Sequence, residues 1–388
     1  MIRAILGVVV LLVAACSVAG QGQTEPKDKK AIVQQVFDAW KERRTKVKTV
    51  RYTVSGEMII PKGTIPPDGF GPTKAVAMPK ANLSSLVKVM MLLDFDKQRY
   101  HQDKEESGFN ASTSRLEPQM RTTTFDGKEN WEVFPREVNA RGPDDPDAVV
   151  VTGNFGKSGF TAEDWPFFIA HGMVPTTGNH ITPGRFQPKI DQGEFYYHGS
   201  AVHAGRNCVV LRTELDHFTG KGFDEYWVDM ARGGAVLRQV AYMDNFANLD
   251  LDVQYQETPA GWLLATWSVQ RREPAHLQNP ARTWRIHKFR VDSYELDPAV
   301  SPADFRATLT PGMKVWKFHL GGNPDSIAQP TTESEQTFVV TENGSLRQTG
   351  GKPTPTSYFW WVVGGGVAFV LLLFGWLWRG RQKVAPKQ

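Results

Sequence analysis

The sequence predicts an α+β protein: an N-terminal amphipathic helix, a long antiparallel sheet, and a C-terminal transmembrane helix. Three observations predict it. Ile32, Val33, Val36, Phe37 and Trp40 recur at one-face helical spacing near the start. Runs of period-2 alternation separated by short turn signals then dominate to about residue 293, and short connections favour antiparallel meanders over parallel crossovers. Finally, residues 358–378 are an unbroken apolar run, long enough to span a bilayer with every backbone polar group paired inside the helix.

Residues 1–20 have the shape of an export signal, with Arg3 ahead of an apolar stretch and small residues after it. Two cleavage patterns fit. One makes Cys16 a lipidated first residue; the other cuts after Ser17-Val18-Ala19 and discards it. The helix is expected over residues 29–48, and Val50, Tyr52 and Val54 then alternate with polar neighbours as a first strand. Residues 61–79 are rich in Pro and Gly and predict an exposed excursion. A second strand follows over 86–95, and strands 121–125 and 130–134 flank the turn Asp126-Gly127-Lys128.

Residues 139–188 read as an insertion, a flap carrying one short helix that starts at Thr161-Ala162-Glu163-Asp164 and presents Trp165, Phe168, Ile169 and Met173. Strands are then expected at 207–215, 225–229, 235–243, 249–256, 262–270 and 283–293. The cleanest alternation sets Leu249, Leu251, Val253 and Tyr255 against polar neighbours. Residues 28–318 form the predicted ectodomain and 319–357 a polar stalk with one weak hairpin turning at Asn343-Gly344. Trp360, Trp361, Trp376 and Trp378 suit the two membrane boundaries. The tail 379–388 carries Arg379, Arg381, Lys383 and Lys387, which places it in the cytoplasm and the ectodomain outside.

Composition narrows the function. Apart from Cys16 the chain has only Cys208, so an internal disulfide is excluded and stability rests on a core. The net charge is +4, much of it in the tail, so no basic stripe for nucleic acid is expected. The sequence has no Gly-x-Ser-x-Gly elbow, no His-Glu-x-x-His pair and no phosphate loop, and a non-enzymatic protein without a cofactor is expected. His198, His203 and Cys208 are zinc-type ligands at the wrong spacing, and Asp144, Asp145 and Asp147 read as a solvated loop.

Aromatic residues carry the sharper expectation. On strand 262–270, Trp262 and Leu264 occupy one face, while Leu263, Ala265, Trp267 and Val269 occupy the other. A sheet apolar on both sides must be covered twice or leave an oily concavity, in which each buried methylene is worth roughly 0.8 kcal/mol. The expected apolar lining is Trp131, Trp227, Tyr242, Trp262, Leu264 and Trp267, with Trp165 and Phe168 on the flap.

The order of elements resembles a known family. The leading helix, Val50-Arg51-Tyr52, Phe125-Asp126-Gly127-Lys128-Glu129-Asn130-Trp131, Gly205-Arg206-Asn207-Cys208-Val209-Val210-Leu211 and Tyr226-Trp227-Val228-Asp229 with Gly233-Gly234 are similar to the bacterial lipoprotein-sorting carriers of the LolA/LolB type. The resemblance covers residues 29–297 with insertions at 61–79 and 139–188. It implies an incomplete antiparallel β-barrel, a curved sheet wrapped around the helix, with a cavity for lipid or lipoprotein acyl chains. The tether at 358–378 departs from a diffusible carrier, and Asp304-Phe305 to Val315-Trp316, beyond the usual end, is expected as an added edge segment. The expected function is therefore a membrane-anchored envelope protein binding a lipid or lipidated protein. The alternative is an interaction or sensor module that meets an envelope protein without a small ligand.

Overall fold

The computed structural model describes residues 28–64, 79–110, 115–135, 146–153, 161–174, 195–217, 220–273, 282–321 and 331–352. The export signal with Cys16, most of the 61–79 excursion, the membrane span 358–378 and the tail lie outside the described residues. Among the described residues, no helix is long and apolar enough to cross a membrane.

Helix α1 (Lys29–Thr45) begins where the Asp28 side chain accepts a hydrogen bond from the Ala31 N–H, capping one of the unpaired donors of the first turn. Its buried stripe is Val33, Val36, Trp40 and, unexpectedly, Arg43. Then come β1 (Thr49–Ile60), β2 (Leu83–Asp94), β3 (Arg99–Asn110), β4 (Arg115–Phe125), β5 (Asn130–Val133) and β6 (Ala148–Gly153). The short helix α2 (Trp165–Ile169) interrupts. After it run β7 (Phe195–His203), β8 (Arg206–His217), β9 (Gly220–Asp229), β10 (Ala235–Met243), β11 (Phe246–Thr258), β12 (Gly261–Glu273) and β13 (Arg282–Leu296). The set closes with β14 (Lys314–Gly321), β15 (Thr331–Val340) and β16 (Leu346–Lys352).

All sixteen strands belong to one curved, unclosed sheet in the order β16-β15-β14-β6-β5-β4-β3-β2-β1-β13-β12-β11-β10-β9-β8-β7. The chain meanders from β1 to β6, crosses to the far edge at β7, and meanders back until β13 pairs with β1. The sheet is thus antiparallel throughout except at β6–β14, where the two strands run parallel.

Three sequence expectations change here. Val315 and Trp316, read as an added edge segment, lie on β14 in the interior of the sheet between β6 and β15. The stretch read as a polar stalk contributes β15 and β16, and its hairpin is hydrogen-bonded onto β14 rather than standing alone. The third change concerns β12. A register shift sets Leu264 opposite Tyr255 and Trp267 opposite Val253, leaving Ala265 as an extra residue. Leu264, Trp267 and Val269 therefore pair with Tyr255, Val253 and Leu251, which share one face, and all six sit in one buried cluster. The bulge flips the alternation halfway along, so Trp267 and Val269 join Leu264 on the inner face, while Leu263, 4% exposed, keeps the opposite face apolar near the start of the strand.

The main core lies on the inner face of the sheet, under α1 and residues 161–174. On β1 the inward row is Val50, Tyr52, Val54, Met58 and Ile60. Gly56 completes it because a Cβ there would sit 2.5 Å from a Phe289 ring carbon. A second, smaller cluster of Val133, Ala148, Val150, Val315 and Val340 joins β5, β6, β14 and β15.

Candidate functional site

Residues 161–174 are the centre of the inner face. From Ala162 to Val174 every residue is buried, so Trp165 and Phe168, expected on a flap over one side of the sheet, pack into its interior. Trp165 retains 7% exposure and Phe168 none. The segment folds on itself. Asp164 accepts from the Thr161 N–H and hydroxyl, and Ala170, His171, Gly172 and Met173 donate backbone hydrogen bonds to Pro166, Phe168, Ile169 and again Phe168.

Side chains fasten it to the sheet. Tyr52, Phe167, Trp267 and Phe289 form a continuous aromatic contact, with successive ring centroids 5.4, 5.2 and 4.8 Å apart. Trp267 Nε1 donates to the Glu163 carbonyl at 3.0 Å, Gln102 Nε2 to Asp164 Oδ1 at 2.7 Å, and Arg43 Nε to the Ala170 carbonyl at 3.1 Å. Arg43 also donates to the Arg232 and Trp262 carbonyls, so one buried guanidinium joins α1, α2 and β12. Gly172 turns with φ +71° directly beneath Trp40; a Cβ there would lie 2.2 Å from the Trp40 carbonyl oxygen.

A charged group sits inside this contact. The Glu163 carboxylate takes two hydrogen bonds from Arg271, at 2.8 and 2.9 Å. Burial works against its charge, but Arg271 and His287 outweigh it and hold the carboxyl well below its ordinary range. His287 Nδ1 lies 3.2 Å from Glu163 Oε1 and adds to the hold on the carboxylate. His171 is the opposite case. Burial, with Arg43 nearby, pushes its pKa down to about 3, so the ring is neutral and shares a hydrogen bond with the Tyr52 hydroxyl at 2.7 Å.

Of the six residues expected to line one cavity, Leu264 and Trp267 belong to the main buried cluster and Trp227 and Trp262 pack against it, while Trp131 borders the second cluster. Leu264 and Trp267 are fully on the inner face. Trp262 is partly exposed near the start of β12, with the Arg232 guanidinium 4.2 Å from its ring centre. Trp227 takes the face opposite its buried neighbour Tyr226, with Arg238 5.3 Å over the ring and His203 at its edge. Tyr242 stacks on Phe223 at 4.4 Å, and Trp131 packs against the second cluster. His198, His203 and Cys208 go to different partners: His203 pairs with Asp252, His198 contacts Arg212, and Cys208 is buried in the core. Asp147 accepts from the Lys314 N–H at the β6–β14 junction.

Sequence reading missed Arg43, Glu163, His171, Arg271 and His287. Only Arg43 carried a signal, since it falls on the buried helical stripe three residues after Trp40. No model of a known protein family matches the chain, and no curated protein matches it.

Proposed function

We propose that the chain is a non-enzymatic, membrane-anchored envelope protein that holds the acyl chain of a lipid or lipidated protein against the inner face of its sheet. In this reading the sheet is an incomplete barrel wrapped around α1, and residues 161–174 are a cover that the acyl chain displaces. One observation carries it: the cover's described backbone-to-backbone hydrogen bonds are local, and each described hydrogen bond that ties it to the sheet or to α1 comes from a side chain. Such a unit leaves without breaking a ladder. The sequence likeness to LolA/LolB-type carriers and the expected membrane tether, with the ectodomain outside the cytoplasm, support the same reading.

Photolabelling tests it. The full chain in nanodiscs is irradiated with a diazirine-bearing fatty acid and the labelled peptides are mapped. Label is expected on peptides containing Leu264–Trp267 and Trp165–Met173, and unlabelled lipopeptide should compete for it. Label no higher there than on the outer-face strands would sink the lipid reading. The close packing of Phe168, Phe167 and Trp267 favours a second reading, a tethered interaction module with a permanently filled interior. That version expects no competed label and one envelope protein recovered by crosslinking.

A further inference from the structure

The cover is held by groups whose charge depends on pH, and they belong to one contiguous patch. His171 sits at its C-terminal end, buried against β1 and the turn after β2, 4.9 Å from the Phe95 ring and hydrogen-bonded to Tyr52. Around it, α1 brings Arg43, which stands over Tyr255 of β11 at 5.3 Å, and β13 brings Tyr294 toward Tyr52. The Arg43 charge opposes a proton on the His171 ring, in the same direction as its burial. At the other end Glu163 faces Arg271 on β12 and His287 on β13, while Asp164 faces Gln102 on β3, with Tyr100 and Arg121 close enough to feel its charge.

We propose that residues 161–174 are an acid-released cover: protonation lifts this segment off the inner face of the sheet while the sheet stays folded. The geometry has the parts required. The segment is self-contained in its backbone bonds, packed by aromatic contact, and bolted by a histidine that stays only when neutral and a carboxylate that stays only when charged. Leaving restores both groups to water, so each takes up protons more readily in the open state and acid drives the same displacement at both ends. His171 dominates near neutrality, because its closed form resists protonation down to about pH 3 while an open one titrates near its ordinary value. The link to lipid rests on the proposed function: release in a mildly acidic compartment would bare the acyl-binding face. The opening itself needs no lipid.

Amide hydrogen exchange read by mass spectrometry on the full chain in lipid-free detergent tests it, with rates corrected for intrinsic pH dependence. The opening constant of peptides within 161–174 is expected to rise about 30-fold from pH 7.5 to pH 5.0, with β1 and β13 unchanged. In His171→Gln, which keeps a hydrogen-bonding side chain that does not titrate, the rise should shrink to below about twofold. Equal opening at the two pH values in the wild type overturns the proposal, as does a full response in His171→Gln. Should that variant fail to fold, exchange at the His171 ring C2 position in the wild type decides. An ordinary midpoint near 6.5 in the native protein overturns the proposal, and a strongly depressed one supports it. Photolabelling without acid release, or acid release without photolabelling, tells failure of this proposal from failure of the lipid reading.

Discussion

Arg43 Nε and the Ala170 carbonyl lie 3.1 Å apart, and that one hydrogen bond joins the helix that opens the fold to the segment that fills it. The same guanidinium caps two more carbonyls, at Arg232 and Trp262, from a side chain only 8% exposed. Arg43→Met keeps much of the apolar stem but orphans three buried or part-buried carbonyls. A loss of about 2–4 kcal/mol is expected, read as a lowered urea midpoint with an unchanged slope. A change within 0.5 kcal/mol would show that water serves those carbonyls equally well.

Gly172 permits the close approach of the cover to α1. Alanine at this position must adopt φ +71° and also place its Cβ 2.2 Å from the Trp40 carbonyl oxygen, where only backbone could yield. Gly205→Ala is the control, since its φ is +73° and nothing lies within 4 Å of the added atom. Gly205→Ala should cost about 1 kcal/mol from left-handed strain alone, and Gly172→Ala at least about 2 kcal/mol more. Paired thermal melts check this; equal shifts would mean that the segment slides away freely.

Glu163 ties stability to pH with a definite sign. Its carboxyl is held well below the ordinary range in the folded chain, so its contribution is fully present above about pH 4.5 and is lost as pH falls toward the depressed folded value. Glu163→Gln leaves Arg271 and His287 without their anion inside the core, which costs about 3–5 kcal/mol at pH 7. The difference between the proteins should narrow below pH 4.5. Urea titrations at pH 7 and pH 3.5 read it, and a constant difference across that range would deny the carboxylate its role.

Where pattern and burial coincide, the sequence was easy to read: α1, β1, and the hairpin of β11 and β12 follow from period alone. Strand β3 was invisible because Gln102, Asp103, Lys104, Glu105 and Glu106 put polar groups on both faces, and its inner row finds buried partners in place of apolar contact. Strand β4 runs through Pro118, a residue that argues against sheet interiors. On β12 the bulge at Ala265 could not be foreseen, since alternation assumes one residue for one. That single insertion moves Trp267 and Val269 to the inner face beside Leu264, leaving Leu263 buried on the other. Glu163, Arg271 and His287 meet from chain positions far apart, so local spacing held no trace of them.

Two tryptophans that look equivalent in the sequence belong to different clusters. Trp267 is 3% exposed, stacks on Phe289, meets Phe167 edge-on and donates to the Glu163 carbonyl. Trp131 is partly exposed, bonds the nearby Glu129 side chain, and borders the smaller cluster of β5, β6, β14 and β15. Trp267→Ala therefore removes a ring from the contact that holds the cover, and should cost about 3–5 kcal/mol, the usual range for a buried tryptophan. Because the cavity opens beside Phe167, exchange of amides in 161–174 should accelerate more than that of β5 and β6. Trp131→Ala should reverse the order, disturbing β5 and β6 and leaving 161–174 protected. Uniform acceleration along the whole sheet in either variant would contradict two separately packed clusters.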